Sequence, residues 1–242
     1  MIGAMYEANQ QRILDVIKGA DPQATVPACP EWTIADLIRH LTGLASDVVN
    51  GKVDGYGGEA WTANQIETRA DKPLVEVVEE WSGLIEPLAR LLDNADESDL
   101  PDVIKSNTGD LPRQALSLAI IGDLLHHEFD LRNACGNRED RARPDVVLSA
   151  IGHAKALRRV FAAASLPTLR VSIDDDGAVI DVGRDEPVAR LHISSFEAFR
   201  TIGGRRTPAE IEDLHWDGDA HTFVPHIVLP PMRPASSSIG ER

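Results

Sequence analysis

The chain has 242 residues, a formal net charge of −15 and 43% hydrophobic residues. That is enough apolar material for a packed core, which excludes global disorder. The acidic balance excludes a phosphate backbone as the main partner, because such binding rests on clustered Lys and Arg. Residues 4–18 carry Tyr6, Ile13, Leu14, Val16 and Ile17 at helical spacing and end at Gly19, a suitable C-terminal cap. Glu7 and Asp15 interrupt the apolar pattern, so this is an amphipathic helix and not a signal peptide. Pro27 and Pro30 keep Val26–Trp32 out of regular helix. Thr33-Ile-Ala-Asp36 then reads as a capping box, and Ile34, Leu37, Ile38, Leu41, Leu44 and Val48 continue as a helical stripe. Residues 50–60 read as a Gly-rich loop. A long helix follows over 73–94, with Pro87 placed to kink it. Asn94–Gly109 is acidic and irregular.

A further helix spans about 112–134, with Pro112 at its start and Gly136 just past its end. Pro144 opens the next, through Val146, Val147, Ile151, Leu157, Val160 and Phe161. Short connections between long amphipathic helices favour an antiparallel bundle. Near Pro167 the period changes. Leu169–Ile173 alternates apolar and polar as a half-buried strand does, Asp174–Gly177 is a turn, and Ala178–Val182 and Val188–Ile193 read as further strands. Ser194 and Thr207 each look like an N-cap with a glutamate three residues on. The expected fold is therefore α+β: a helical bundle over 1–164, then a small α/β domain over 165–242 with an irregular, mobile tail. No apolar run approaches the roughly 20 residues that span a bilayer, so a soluble cytoplasmic protein is expected. Two cysteines, Cys29 and Cys135, make no disulfide framework. Cys29 has no base near it in sequence and reads as a structural thiol, and Trp32 and Trp61 read as packing residues.

The residues that bear on chemistry lie in Asp123-Leu-Leu-His126-His127-Glu128-Phe129-Asp130. Side chains four apart share a helix face, so Asp123 and His127 can aim at one point. His126 and Asp130 form a rival pair on a face rotated by about 100°. His40, far upstream, is a third donor. Three protein ligands with one open position are the pattern of a catalytic metal site. Imidazole and carboxylate ligands suit zinc, with Ni, Co or Fe as alternatives. Spacing alone leaves both pairs open.

Val26-Pro-Ala-Cys-Pro-Glu-Trp-Thr-Ile-Ala-Asp-Leu-Ile-Arg-His40-Leu resembles the opening signature of the mycothiol-dependent maleylpyruvate isomerase family, a group of DinB-like metal-binding four-helix bundles. Asp123-x-x-x-His127-x-x-Asp130-Leu131 resembles its second signature, in which a glutamate stands where this chain has Asp123. Glu197–Arg206 and Leu214–Asp219 are similar to its small C-terminal domain. The resemblance implies His40, Asp123 and His127 as metal ligands, with His126 outside the set. It also implies a divalent metal, and mycothiol, the thiol of actinobacteria, as cosubstrate. The expected chemistry is a thiolate attacking a small-molecule electrophile, by cis–trans isomerisation or by S-transfer. Arg205 and Arg206 are the expected cations for a substrate carboxylate, and Asp130 the partner that orients a ligand imidazole. The alternatives are a metallohydrolase on the same bundle and a non-catalytic bundle with a decayed site. Asp123 is one methylene shorter than the family's glutamate, so its reach decides whether the site survives.

Overall fold

The computed structural model describes residues 2–107 and 109–241, in two compact units, Met1–Asn137 and Arg138–Arg242. The first unit contains α1 (Ile2–Ile17), β1 (Thr25–Val26), β2 (Cys29–Thr33), α2 (Ile34–Val49), α3 (Glu59–Glu67), α4 (Leu74–Asp93), β3 (Val103–Ser106), β4 (Gly109–Pro112) and α5 (Arg113–Ala134). Four long helices, α1, α2, α4 and α5, form the bundle. Their apolar faces meet in one core that includes Tyr6, Ile13, Leu37, Leu41, Trp81, Leu88, Ile120 and Leu124. Trp81 is fully buried and its indole N–H donates to the Tyr6 hydroxyl at 2.9 Å, which satisfies the polar ends of both rings. The α4 helix runs on through Pro87.

Local chemistry sets the entry to α2. Thr33 Oγ1 accepts from the Asp36 amide at 3.1 Å, and the Thr33 amide donates back to Asp36 Oδ2 at 3.1 Å. This reciprocal capping box, worth about 1 kcal/mol, fixes where the helix begins and hence where His40 falls. The Pro27/Pro30 segment is not plain loop. It makes a short antiparallel hairpin of β1 and β2, irregular between Thr25 and Val26, which leads directly into α2.

From Leu124 to Arg132 every residue of α5 is buried. A helix buried all round must pair its polar groups. Glu128 does so with Arg12 Nε at 3.2 Å and Arg132 Nε at 2.8 Å.

The second unit contains α6 (Pro144–Ala163), β5 (Leu169–Ile173), β6 (Ala178–Val182), β7 (Ala189–Ile193), α7 (Ser195–Ile202), α8 (Pro208–Glu212) and β8 (His215–Asp217). The sheet order is β6-β5-β7-β8, with β5 and β7 parallel and the outer pairs antiparallel. The expected extension of the bundle to residue 164 needs correction. The α6 helix packs against α7 and β6, burying Val146, Ala150, Ala154, Leu157 and Phe161. An apolar stripe covers a sheet as readily as it joins a bundle, and its period does not say which. The tail is also better anchored than its prolines and serines suggest. Glu241 is buried and pairs with Arg200 and Arg206, while Ser238 Oγ donates to Glu210. Two buried guanidinium groups demand carboxylates, and the tail supplies one.

Candidate metal centre

Three donors converge inside the first unit. His40 Nε2 stands 3.5 Å from Asp123 Oδ2, and His127 Nε2 stands 3.5 Å from Asp123 Oδ1. The ligating atoms of all three lie within 4.8 Å of one another. A tetrahedral ion with arms of about 2.0–2.2 Å separates its ligands by about 3.4 Å, close to the two imidazole–carboxylate separations. Asp123 Oδ2 is buried and has no hydrogen-bond partner, a cost that a cation would remove. The residues therefore fit a divalent metal.

Each imidazole is held from behind. His127 Nδ1 lies 3.1 Å from Asp130 Oδ2. His40 Nδ1 lies 2.8 Å from Gln65 Oε1, and Gln65 Nε2 donates to Asp47 Oδ2 at 2.9 Å. The amide orientation follows from that second bond, so His40 donates through Nδ1 and presents the Nε2 lone pair to the site. Gln65 is invisible in the sequence because it sits on α3, a helix without an apolar stripe, in a stretch whose pattern assigns no element. Its delivery depends on Gly43 of α2, where an added Cβ would collide with the Gln65 side chain. Gln65→Leu is expected to let the His40 ring turn. Zinc affinity should fall about 10–100-fold, measured by competition with a chromophoric chelator.

The donors open onto a pocket of about 180 Å³, lined by Trp32, His40, Leu44, Tyr56, Gly57, Trp61, Thr62, Asp123 and His127. Trp32 stands 5.3 Å from His40 and 6.2 Å from His127, centroid to centroid. Trp32 and Trp61, read from the sequence as packing residues, are thus walls of the site. Cys29, read as a structural thiol, is half-buried on β2. Its sulfur is near His127 and Asp130, within 4.8 Å for the ligating atoms. Folding thus brings to the thiol two polar side chains that are distant from it in sequence. That group shares His127 with the triad, but neither Cys29 nor Asp130 lines the pocket. Of the rival pair, Asp130 is turned to His127, and neither His126 nor Asp130 lines the pocket. His126 is buried elsewhere on α5.

Electrostatics bind the triad together. Burial alone would raise the Asp123 pKa, but the His127 and His40 imidazoles hold it far below the usual carboxylate range. Burial would lower that of His127, yet Asp123 and then Asp130 push it up to about 9. Folded His127 in metal-free protein thus binds its proton more tightly than unfolded His127. Its stabilising contribution is complete below about pH 6.5 and is lost as pH rises through 9. The thermal midpoint of metal-free protein should fall between those values, and a bound metal, which replaces the proton, should abolish the fall. Differential scanning fluorimetry with and without zinc measures both.

Arg205 and Arg206 lie in the second unit. Arg205 donates to the Gly203 carbonyl at 2.7 Å. Arg206 is 1% exposed and gripped by Glu197 and Glu241, so its charge is already neutralised within that unit.

A family model described as the mycothiol maleylpyruvate isomerase N-terminal domain matches residues 7–132, a span that contains all three donors. The chain belongs to this family. The fold is shared with two solved structures, a mycothiol-dependent maleylpyruvate isomerase and a histidine-to-alanine mutant of such an enzyme. The first is 11% identical with a TM-score of 0.61, and the second 10% identical with a TM-score of 0.60. Each comparison covers 84% of this chain and 88% of the other. No curated protein matches the chain in sequence. His40 and His127 fall in the two segments that resemble the family's signatures, and folding brings those segments to one pocket. No helix among the described residues is long and apolar enough to cross a membrane.

Proposed function

We propose that the chain is a metal- and mycothiol-dependent enzyme that directs the thiolate of mycothiol at a small electrophile, as an isomerase of the maleylpyruvate type or as a thiol S-transferase. The observation that carries this is the convergence of His40, Asp123 and His127 at the mouth of one aromatic pocket. A divalent ion held there, zinc first, supplies Lewis acidity that keeps a thiol deprotonated at neutral pH. Asp123 neutralises part of the cation's charge. Gln65 and Asp130 fix which imidazole nitrogen faces inward. Trp32, Tyr56 and Trp61 line a volume of small-molecule size beside the donors. A decayed site would leave its donors splayed, and here each imidazole is 3.5 Å from the carboxylate. The reading rests on the first unit alone, which holds the pocket and the donors.

The test is a thiol-dependent reaction. Zinc-loaded protein with mycothiol and maleylpyruvate should consume the cis substrate, followed by ultraviolet absorbance. Omission of mycothiol or removal of the metal should stop it. Metal-loaded protein that gives no thiol-dependent turnover of maleylpyruvate or of a model electrophile overturns the proposal.

A further inference from the structure

Tyr56 occupies a position the chain goes to some length to build. It lies in the loop between α2 and α3, and β3 stitches that loop down. Gly55 N and Tyr56 N both donate to Lys105 O, at 2.9 and 3.1 Å, and Asn107 N donates to Tyr56 O at 3.0 Å. Tyr56 and Ser106 form a parallel bridge. Gly57 follows with a φ of +70°, which turns the chain away immediately after the tyrosine. The ring then rests on Trp61 at 5.1 Å between centroids and enters the pocket wall beside the donors. Its hydroxyl has no hydrogen-bond partner among the described residues. Burial, and to a lesser degree the Asp123 carboxylate, keep its pKa well above the ordinary phenol value, so it stays an O–H donor at neutral pH.

The pocket makes that donor count. Its described lining holds no Lys or Arg, and the Trp61 indole N–H is already given to Lys52 O at 3.1 Å. Thr62 and the Trp32 indole are the wall's other O–H and N–H donors, and outside the three converging donors Tyr56 is its one ionisable residue among the described residues. Addition of a thiolate to an unsaturated carbonyl compound creates negative charge on oxygen, and a placed hydrogen-bond donor stabilises it.

We propose that Tyr56 is a catalytic residue whose hydroxyl donates to the oxygen of an α,β-unsaturated carbonyl substrate as the thiolate adds. This rests on the thiol-addition reading above and adds a proton donor to it. In the forward step the sulfur lone pair forms the C–S bond at the β-carbon. The C=C pair moves toward the carbonyl carbon, and the carbonyl π pair moves onto oxygen, which takes the Tyr56 hydrogen bond or its proton. Rotation about the new single bond follows. In the reverse step the oxygen returns the proton to Tyr56, the C=C bond re-forms trans, and the C–S pair leaves with sulfur. Nothing is oxidised or reduced.

Tyr56→Phe keeps the ring on Trp61 and deletes only the hydroxyl. Mycothiol addition to a cis-enone should slow on the order of 10²–10³-fold. Mycothiol alkylation by iodoacetamide, in which iodide leaves and no charge builds on an oxygen, should stay within about twofold, with metal content unchanged. In metal-free protein the infrared carbonyl stretch of a bound enone should lie at lower frequency in wild type than in Tyr56→Phe. Equal loss with both electrophiles, no loss with either, or the same carbonyl frequency in both proteins overturns the assignment. If wild type accelerates neither reaction, the thiol-transfer reading falls, while the carbonyl shift still decides whether Tyr56 is a donor to bound substrate.

Discussion

His127→Ala is expected to empty the metal centre. Wild-type protein should carry close to one zinc per chain after loading and dialysis, and the variant close to none. His127 gives one of three protein donors, and its Nε2 faces the same carboxylate as His40 Nε2. Loss of an outer partner costs about 10–100-fold in metal affinity, and loss of a direct ligand must cost more than about 100-fold. Any thiol-dependent activity should go with the metal. His126→Ala is the matched control, since the side chain is equally buried on α5 but lies outside the pocket. It should keep the zinc even if it lowers stability. Elemental analysis with circular dichroism separates the two effects. Metal retained in folded His127→Ala, or lost in folded His126→Ala, would mean that the wrong pair on this helix has been assigned.

That pair also shows how far the sequence can be read. Asp123 and His127 are four apart, and so are His126 and Asp130, and periodicity cannot choose between them. The reason is physical. Because α5 is buried on every side from Leu124 to Arg132, it has no polar face to mark as outward. The resemblance to the family signatures makes the choice, and in the fold it is Asp123 and His127 that share a pocket with His40. Elements whose signal is local are legible: the capping boxes at Thr33 and Thr207, the Ser194 cap, and the alternating strands Leu169–Ile173 and Ala178–Val182. Those the sequence hides owe their structure to tertiary contacts. The α3 helix buries only Gln65 and begins after Gly57 and Gly58, so nothing in its pattern announces it. The β3–β4 hairpin is hidden in an acidic stretch, and β3 is what fixes Tyr56. Two residues central to the site, Gln65 and Tyr56, therefore sit in segments without a readable pattern.

The second large effect belongs to Asp123. Asp123→Asn preserves volume and removes the charge, and an amide is a poor ligand for a divalent ion. Zinc affinity should drop by more than about 100-fold, again beyond the cost of an outer partner. The proton on His127 should loosen at the same time, because Asp123 is the strongest of the groups that raise its pKa. An NMR titration of metal-free protein should then find the imidazole titrating below the value of about 9 held by the native pair. Asp123→Glu is the sharper experiment, since it installs the family's usual acid. The longer side chain carries its carboxylate about 1.5 Å further, one C–C bond. Both oxygens of Asp123 already stand 3.5 Å from an imidazole nitrogen, close to the edge of a tetrahedral site. The backbone cannot retreat, because Ile120 and Leu124 on the same helix are locked in the core. The added methylene must fold back into an unfavourable rotamer or push the metal off the two histidines. Zinc affinity should therefore fall by about tenfold in Asp123→Glu, a cost of about 1.4 kcal/mol. Tighter binding by the glutamate variant would show instead that the bundle is built for the longer acid, and that Asp123 holds its metal at a stretch.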